Sequence, residues 1–359
     1  MGKGRLIRYL IEIACLIALA GAYWTYFRPR QPVEYPGKWI KTPGPAANEV
    51  RDLTWSPVSN KLAAASSADT QGPGIAVYDA KELAWLNRTP QELKERMFVD
   101  LLGTDKNLYA VCYKKDTLPG ALIRSIDGGM NWMMPGVLPD QVDPRCLAVT
   151  ADQTLLLGTV DHGIFRSPDG GATWNASGQG LGNLKIQCLA APPSNPSVVF
   201  AGTLRGLYRS TDAGASWTSV SVIPSFSASP LVVGIAFHPS RTDTMWVIVK
   251  NEAGDAMVAR SPNGGSRWKT TIDGLAARPQ PRCILADPAK PDTVYLGTVY
   301  DGVYRSDNGG DFWSPMNTGL PRDPNDIIPF IMHALALSPD GTLFAGVDFE
   351  GGVWEYTVQ

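Results

Sequence analysis

The chain has 359 residues, 44% of them hydrophobic, with 36 Gly, 29 Pro and a formal net charge of −2. That near-neutral balance excludes a nucleic-acid polyanion as the main ligand, and the length exceeds what one hydrophobic core usually organises unless the core is divided among repeated units. Three His and five Cys, with no Cys-x-x-Cys pair, supply neither a zinc spacing nor a disulfide framework.

Residues 1–8 carry Lys3, Arg5 and Arg8 and read as a cytoplasmic N-terminus. Tyr9 to Phe27 is a run of 19 residues in which Glu12 is the only charge. At 1.5 Å per residue this run spans roughly 28 Å as a helix, close to the hydrocarbon thickness of a bilayer. Its far end carries Tyr23, Trp24, Tyr26 and Phe27, an aromatic belt. The reading is a single transmembrane helix that leaves the rest of the chain on the periplasmic, lumenal or extracellular side. The rival reading is a cleaved signal peptide, with Ala18-Leu-Ala20 as a small-x-small site. Residues 28–36, Pro-rich, read as a short stiff linker.

From residue 37 onward the chain repeats itself. The clearest unit is an eight-residue phrase: Ser125-Ile-Asp-Gly-Gly-Met-Asn-Trp132, Ser167-Pro-Asp-Gly-Gly-Ala-Thr-Trp174, Ser210-Thr-Asp-Ala-Gly-Ala-Ser-Trp217, Ser261-Pro-Asn-Gly-Gly-Ser-Arg-Trp268 and Ser306-Asp-Asn-Gly-Gly-Asp-Phe-Trp313. Its Ser positions are 42, 43, 51 and 45 residues apart, and a recurrence at that period marks a stacked or circular array. Asp127, Asp169, Asp212, Asn263 and Asn308 can accept hydrogen bonds from the turn's own amides, while the glycines reach positive φ cheaply. Trp132, Trp174, Trp217, Trp268 and Trp313 then open the return strand and cover the hairpin. Around each phrase lie β-branched and aromatic runs such as Val198-Val-Phe-Ala-Gly-Thr203 and Gly206-Leu-Tyr-Arg-Ser210, so each unit reads as four strands.

Upstream, Tyr78 and Trp85 keep the seven-residue spacing of a worn sixth copy. Downstream, Gly352-Val-Trp-Glu-Tyr356 matches Gly302-Val-Tyr-Arg-Ser306, but the chain stops at Gln359 before an outer strand. The missing strand is expected at residues 37–42, because Trp39 lies 14 residues before Leu53 as Trp132 lies before Cys146. The expected fold is therefore all-β: a seven-bladed propeller over residues 37–359, closed by its N-terminal strand, which hides an edge that otherwise invites aggregation.

The phrase resembles the Asp-box, the S-x-D-x-G-x-x-W hairpin of the BNR-type repeat propellers, and the single ring is closest in plan to the photosystem II assembly and stability factors. The resemblance implies a noncatalytic scaffold on the far side of a bioenergetic membrane that binds an integral membrane protein complex, with no cofactor and no metal. The alternative is a glycan-binding or glycoside-cleaving, sialidase-like propeller; the Arg-Ile-Pro signature of sialidases is absent.

Ligands are expected at the mouth opposite the hairpins, where loops between second and third strands carry Asp161, His162, Arg205, Tyr300, Asp301, Asp348, Phe349 and Glu350. Lys114, Lys115, Asp116, Lys250, Glu252 and Asp255 lie in the same loops. The recurrent Arg124, Arg166, Arg209, Arg260 and Arg305 read as structural partners of neighbouring acids, and Cys112, Cys146, Cys188 and Cys283 as buried free thiols.

Overall fold

The computed structural model describes residues 31–358 apart from 46–48, 67–73, 80–81, 115–116, 151, 194, 196, 325–326 and 349–351. Among the described residues no helix is long and apolar enough to cross a membrane, and the segment 9–27 lies outside them, as do Lys115, Asp116, Phe349 and Glu350.

The unit from Glu34 onward is a seven-bladed β-propeller of antiparallel sheets. Its inner strands are Val50–Ser56, Met97–Gly103, Pro144–Val149, Ile186–Ala190, Leu231–Phe237, Pro281–Ala286 and Met332–Leu337, one for each of blades 1 to 7. Second strands such as Leu155–Thr159, Val199–Thr203 and Val294–Thr298 are buried at every position. A strand covered on both faces by neighbouring sheets has no solvent side, so its sequence runs apolar instead of alternating. Seven hydrophobic clusters result, each built from two successive blades, including one that joins blade 7 to blade 1. This division lets a long chain do without a single large core.

Blade 7 takes its outer strand from the start of the ring. Gly37–Lys41 pairs antiparallel with Gly352–Val358, with Trp39 opposite Tyr356. Trp39 is 2% exposed, and its indole Nε1 donates to the Met316 carbonyl of blade 6 at 2.6 Å. Trp217 and Trp313 do the same to Ser177 and Thr271 of the blades before them, at 2.8 Å each. Trp39, Trp217 and Trp313 are thus tethers between blades as well as covers, whereas Trp132 donates to the Gly129 carbonyl of its own hairpin at 3.1 Å and the indoles of Trp174 and Trp268 serve as covers only. Gly274 explains why small residues follow: at φ +89 its Cβ would stand 2.0 Å from the Trp313 carbonyl oxygen.

In the repeated hairpin the Ser hydroxyl does two jobs. Ser210 Oγ accepts the Gly214 amide at 2.8 Å and donates to Asp212 Oδ1 at 2.7 Å, and Asp212 Oδ1 accepts the Ser216 amide at 2.9 Å. Asn263 and Asn308 keep the pattern because an amide oxygen accepts as a carboxylate does. Ala213, which replaces the first glycine of the other copies, sits at φ +56, a conformation costly for a residue with a Cβ. Ser210→Ala leaves the buried Gly214 amide without its acceptor. The expected cost is about 1–3 kcal/mol in urea unfolding, with the opposite face of the ring unaffected.

The expectation of four strands in every unit fails in blade 2, whose sheet has three, followed by a single bridge between Arg124 and Met133. Ser177, Thr271 and Met316 extend their outer strands by donating an amide to Ile164, Val258 and Val303. Pro135 holds the corresponding place in blade 2 and has no N–H to give.

The recurrent arginines are structural by different routes. Arg260 reaches Asp311 of the next blade at 3.7 Å, whereas Arg166 donates to the Ala213 carbonyl, Arg124 to Asn107 and Arg305 to Asp307 of its own blade. Arg209 lies over the Phe200 ring.

Candidate functional site

Every inner strand is broken at one place. Its register to the second strand shifts across Arg51, Val99, Arg145, Gln187, Val233, Arg282 and His333 in blades 1 to 7. A bulge leaves one extra residue unpaired and re-aims its side chain. All seven of these residues line the central cavity, a space of about 250 Å³ on the ring axis. Each blade thereby contributes one side chain to an inner ring, of which three are arginines.

The residues that follow the bulges are Asp52, Asp100, Cys146, Cys188, Gly234, Cys283 and Ala334, and all but Ala334 line the same cavity. Asp52 Oδ2 accepts the Leu101 amide of blade 2 at 2.7 Å, and Asp100 Oδ2 accepts the Leu147 amide of blade 3 at 2.7 Å. Burial pushes Asp52 up to about 7. Burial, and then the charge of Asp52, hold Asp100 well above the carboxylate range. The thiols pack against glycines of the second strands, where a Cβ on Gly158, Gly202 or Gly297 would lie within 2.6 Å of a sulfur. All three are free; burial pushes Cys188 and Cys283 up to about 12 and Cys146 in the same direction, so none is a ready nucleophile.

The ring of bulge residues is electropositive. Arg51 pairs with Glu49 at 2.9 Å, and Arg145 donates to the Gln187 amide oxygen at 3.2 Å. Arg282 makes no ion pair or side-chain hydrogen bond among the described residues, and burial, then repulsion from Arg145, lowers its pKa from the ordinary value. Burial first, then Arg282 and Arg51, push His333 down to about 4, so it is neutral at physiological pH. Its Nε2 lies 3.4 Å from Glu49 and 3.8 Å from Asp348.

The described rim residues do not form one cluster. Asp161 pairs with His162 at 2.7 Å on the loop of blade 3, and Arg205 lines a groove with Lys250 and Glu252 between blades 4 and 5. Tyr300 is 46% exposed at φ +68, held there by backbone bonds to Phe330 and Ile328. A non-glycine residue in that region carries strain that the surroundings must impose. Beside it, burial raises the Asp301 carboxyl. Asp348 turns inward, 8% exposed, and accepts the Ile331 amide at 2.7 Å. Of the described rim residues, Asp348 alone meets the axial cluster, through His333.

The axial arginines escape a reading of the sequence that looks only at loops. Their signal is the residue just before each inner-strand Cys or Asp, as in Arg145-Cys146, Arg282-Cys283 and Arg51-Asp52, visible once the seven inner strands are lined up.

Residues 162–275 match the sortilin family model (sortilin, neurotensin receptor 3). No curated protein matches the sequence. Among solved structures, a GH74 enzyme of Niastella koreensis superposes with a TM-score of 0.71 at 16% identity, over 89% of this chain and 53% of its own. YCF48 bound to a D1 peptide superposes with a TM-score of 0.65 at 17% identity, over 91% of this chain and 99% of its own. YCF48 from Cyanidioschyzon merolae gives 0.65 at 15% identity, over 89% and 98%. These likenesses establish the fold. The chain spans about half the length of the GH74 enzyme it matches.

Proposed function

We propose that this chain is a noncatalytic interaction scaffold, tethered to a membrane through residues 9–27 with its propeller on the extracytoplasmic side. It serves as an assembly factor or accessory subunit of an integral membrane protein complex, photosynthetic complexes included. The observation that carries this reading is the engagement of the acids. Asp52, Asp100 and Asp348 each accept a backbone amide, and Asp161 pairs with His162. Glycoside hydrolysis needs two carboxyl groups facing each other across a substrate at about 5–9.5 Å; Asp52 and Asp100 join successive blades instead, and Asp348 and Asp161 are engaged within their own blade and loop. The near end-to-end likeness to YCF48, a structure that carries a D1 peptide, supports a face that receives a polypeptide.

A second reading, a glycan-binding or glycoside-cleaving propeller, draws on Asp301, whose raised carboxyl is what a general acid requires. Purification of the protein from gently solubilised native membranes distinguishes the two. The scaffold is expected to bring integral membrane proteins with it, and Arg205→Glu combined with Tyr300→Ala to weaken that association about tenfold, or about 1.4 kcal/mol. Recovery of the protein alone, together with glycoside turnover abolished by Asp301→Asn, would overturn the scaffold.

A further inference from the structure

We propose that the axial cavity is a binding site for a small oxyanion, a carboxylate or phosphate group, held by Arg145 and Arg282 with Arg51 completing the cradle. Three guanidinium groups from blades 1, 3 and 6 line one space of about 250 Å³. They repel one another, which is part of why the Arg282 pKa is lowered. An arginine cannot shed its proton to relieve such crowding, as a buried lysine does. Counter-charge is short: Glu49 pairs with Arg51 and only attracts Arg282 from a distance, Arg145 donates to a neutral amide with Asp100 as its nearby acid, and Arg282 has no ion pair among the described residues.

The neighbouring acids make up only part of the difference. Asp52 and Asp100 are bound to the amides of Leu101 and Leu147, and burial favours their neutral forms. His333 is neutral at physiological pH and adds no charge of either sign. Half-buried charge of one sign without partners is costly, and the planar fork of each guanidinium matches a carboxylate or phosphate by paired hydrogen bonds. A site of this volume receives an ion, a small molecule or the tip of a chain; a helix or strand is too wide for it. This inference goes beyond the scaffold reading and stands if that reading fails.

The test is isothermal titration of the full-length chain in detergent with inorganic phosphate, with succinate, and with a short peptide carrying either a free terminal carboxylate or a terminal amide, at constant ionic strength in chloride. Saturable binding of phosphate or succinate is expected, with Arg145→Gln and Arg282→Gln each weakening it about tenfold or more, and Arg209→Gln on the outer hairpin leaving it unchanged. Binding of the carboxylate peptide alone, lost with its amide and lost in Arg282→Gln, assigns the oxyanion to a polypeptide. Without ligand, Arg282→Gln is expected to melt no lower than the wild type, because it relieves repulsion; a merely structural arginine would melt lower. No response to any of the probes, or binding by Arg282→Gln as tight as that of the wild type, overturns the site.

Discussion

Deletion of residues 1–45 is expected to destabilise the propeller far more than deletion of residues 1–30, by several kcal/mol in urea unfolding. The longer deletion removes Gly37–Lys41, the outer strand of blade 7, and exposes the edge of Gly352–Val358. It also removes Trp39 from the cluster it shares with Tyr295, Met316, Leu320 and Phe330. Bonds between blades 6 and 7 depend on this segment: the indole to Met316, the Trp39 amide to Thr318, and the Tyr35 hydroxyl to Asp307 and the Arg305 carbonyl. Trp39→Ala alone is expected to cost about 3–5 kcal/mol, the usual range for emptying a buried aromatic site. In a ring the loss does not stay local, because one open interface exposes two blades at once. Coincident unfolding midpoints for the two truncations would show that the ring closes without this strand.

The second large effect is on pH dependence. Asp52 titrates near 4 in the unfolded chain and is pushed up to about 7 in the fold. The folded state therefore binds the proton more tightly. The stability from this group is fully present below about pH 4 and is lost as pH rises to about 7. Asp100, raised by burial and by the charge of Asp52, acts in the same direction. His333 has the opposite sign: pushed down to about 4, it contributes stability above its unfolded value near 6.5 and loses it as pH falls. The two trends overlap, so the decisive quantity is the difference between the wild type and Asp52→Asn, which keeps a carbonyl acceptor for the Leu101 amide. The variant is expected to be the more stable above neutral pH by a few kcal/mol at most, with the gap closing below about pH 4. Urea unfolding across that range measures it. A pH-independent gap would mean that Asp52 titrates in the fold as it does in the unfolded chain.

The repeated hairpin was legible in the sequence because its hydrogen bonds are local. Ser210, Asp212, Gly214 and Ser216 satisfy one another within seven residues, and the same atoms meet in Ser306, Asn308, Gly310 and Phe312. The apolar second strands were legible too, since burial on both faces writes itself into composition. Blade 2 shows the limit of counting repeats: its phrase ends in Trp132 like the others, yet Pro135 withholds the one amide that extends the outer strand.

The axial site was not legible in the same way. Arg51, Arg145 and Arg282 lie more than ninety residues apart, and no local pattern announces that their side chains meet. Nor could spacing show that Asp348 turns inward while Asp161 and Tyr300 face out, or that Trp313 is buried whereas Trp132 is only half covered. The amino-acid sequence by itself determined the blade, because strand, turn and hairpin are settled by contacts within about forty to fifty residues. Only the tertiary structure decided the site. Closing seven bulged strands around one axis brings one residue from each blade to a common space, and the charge gathered there is a property of the ring.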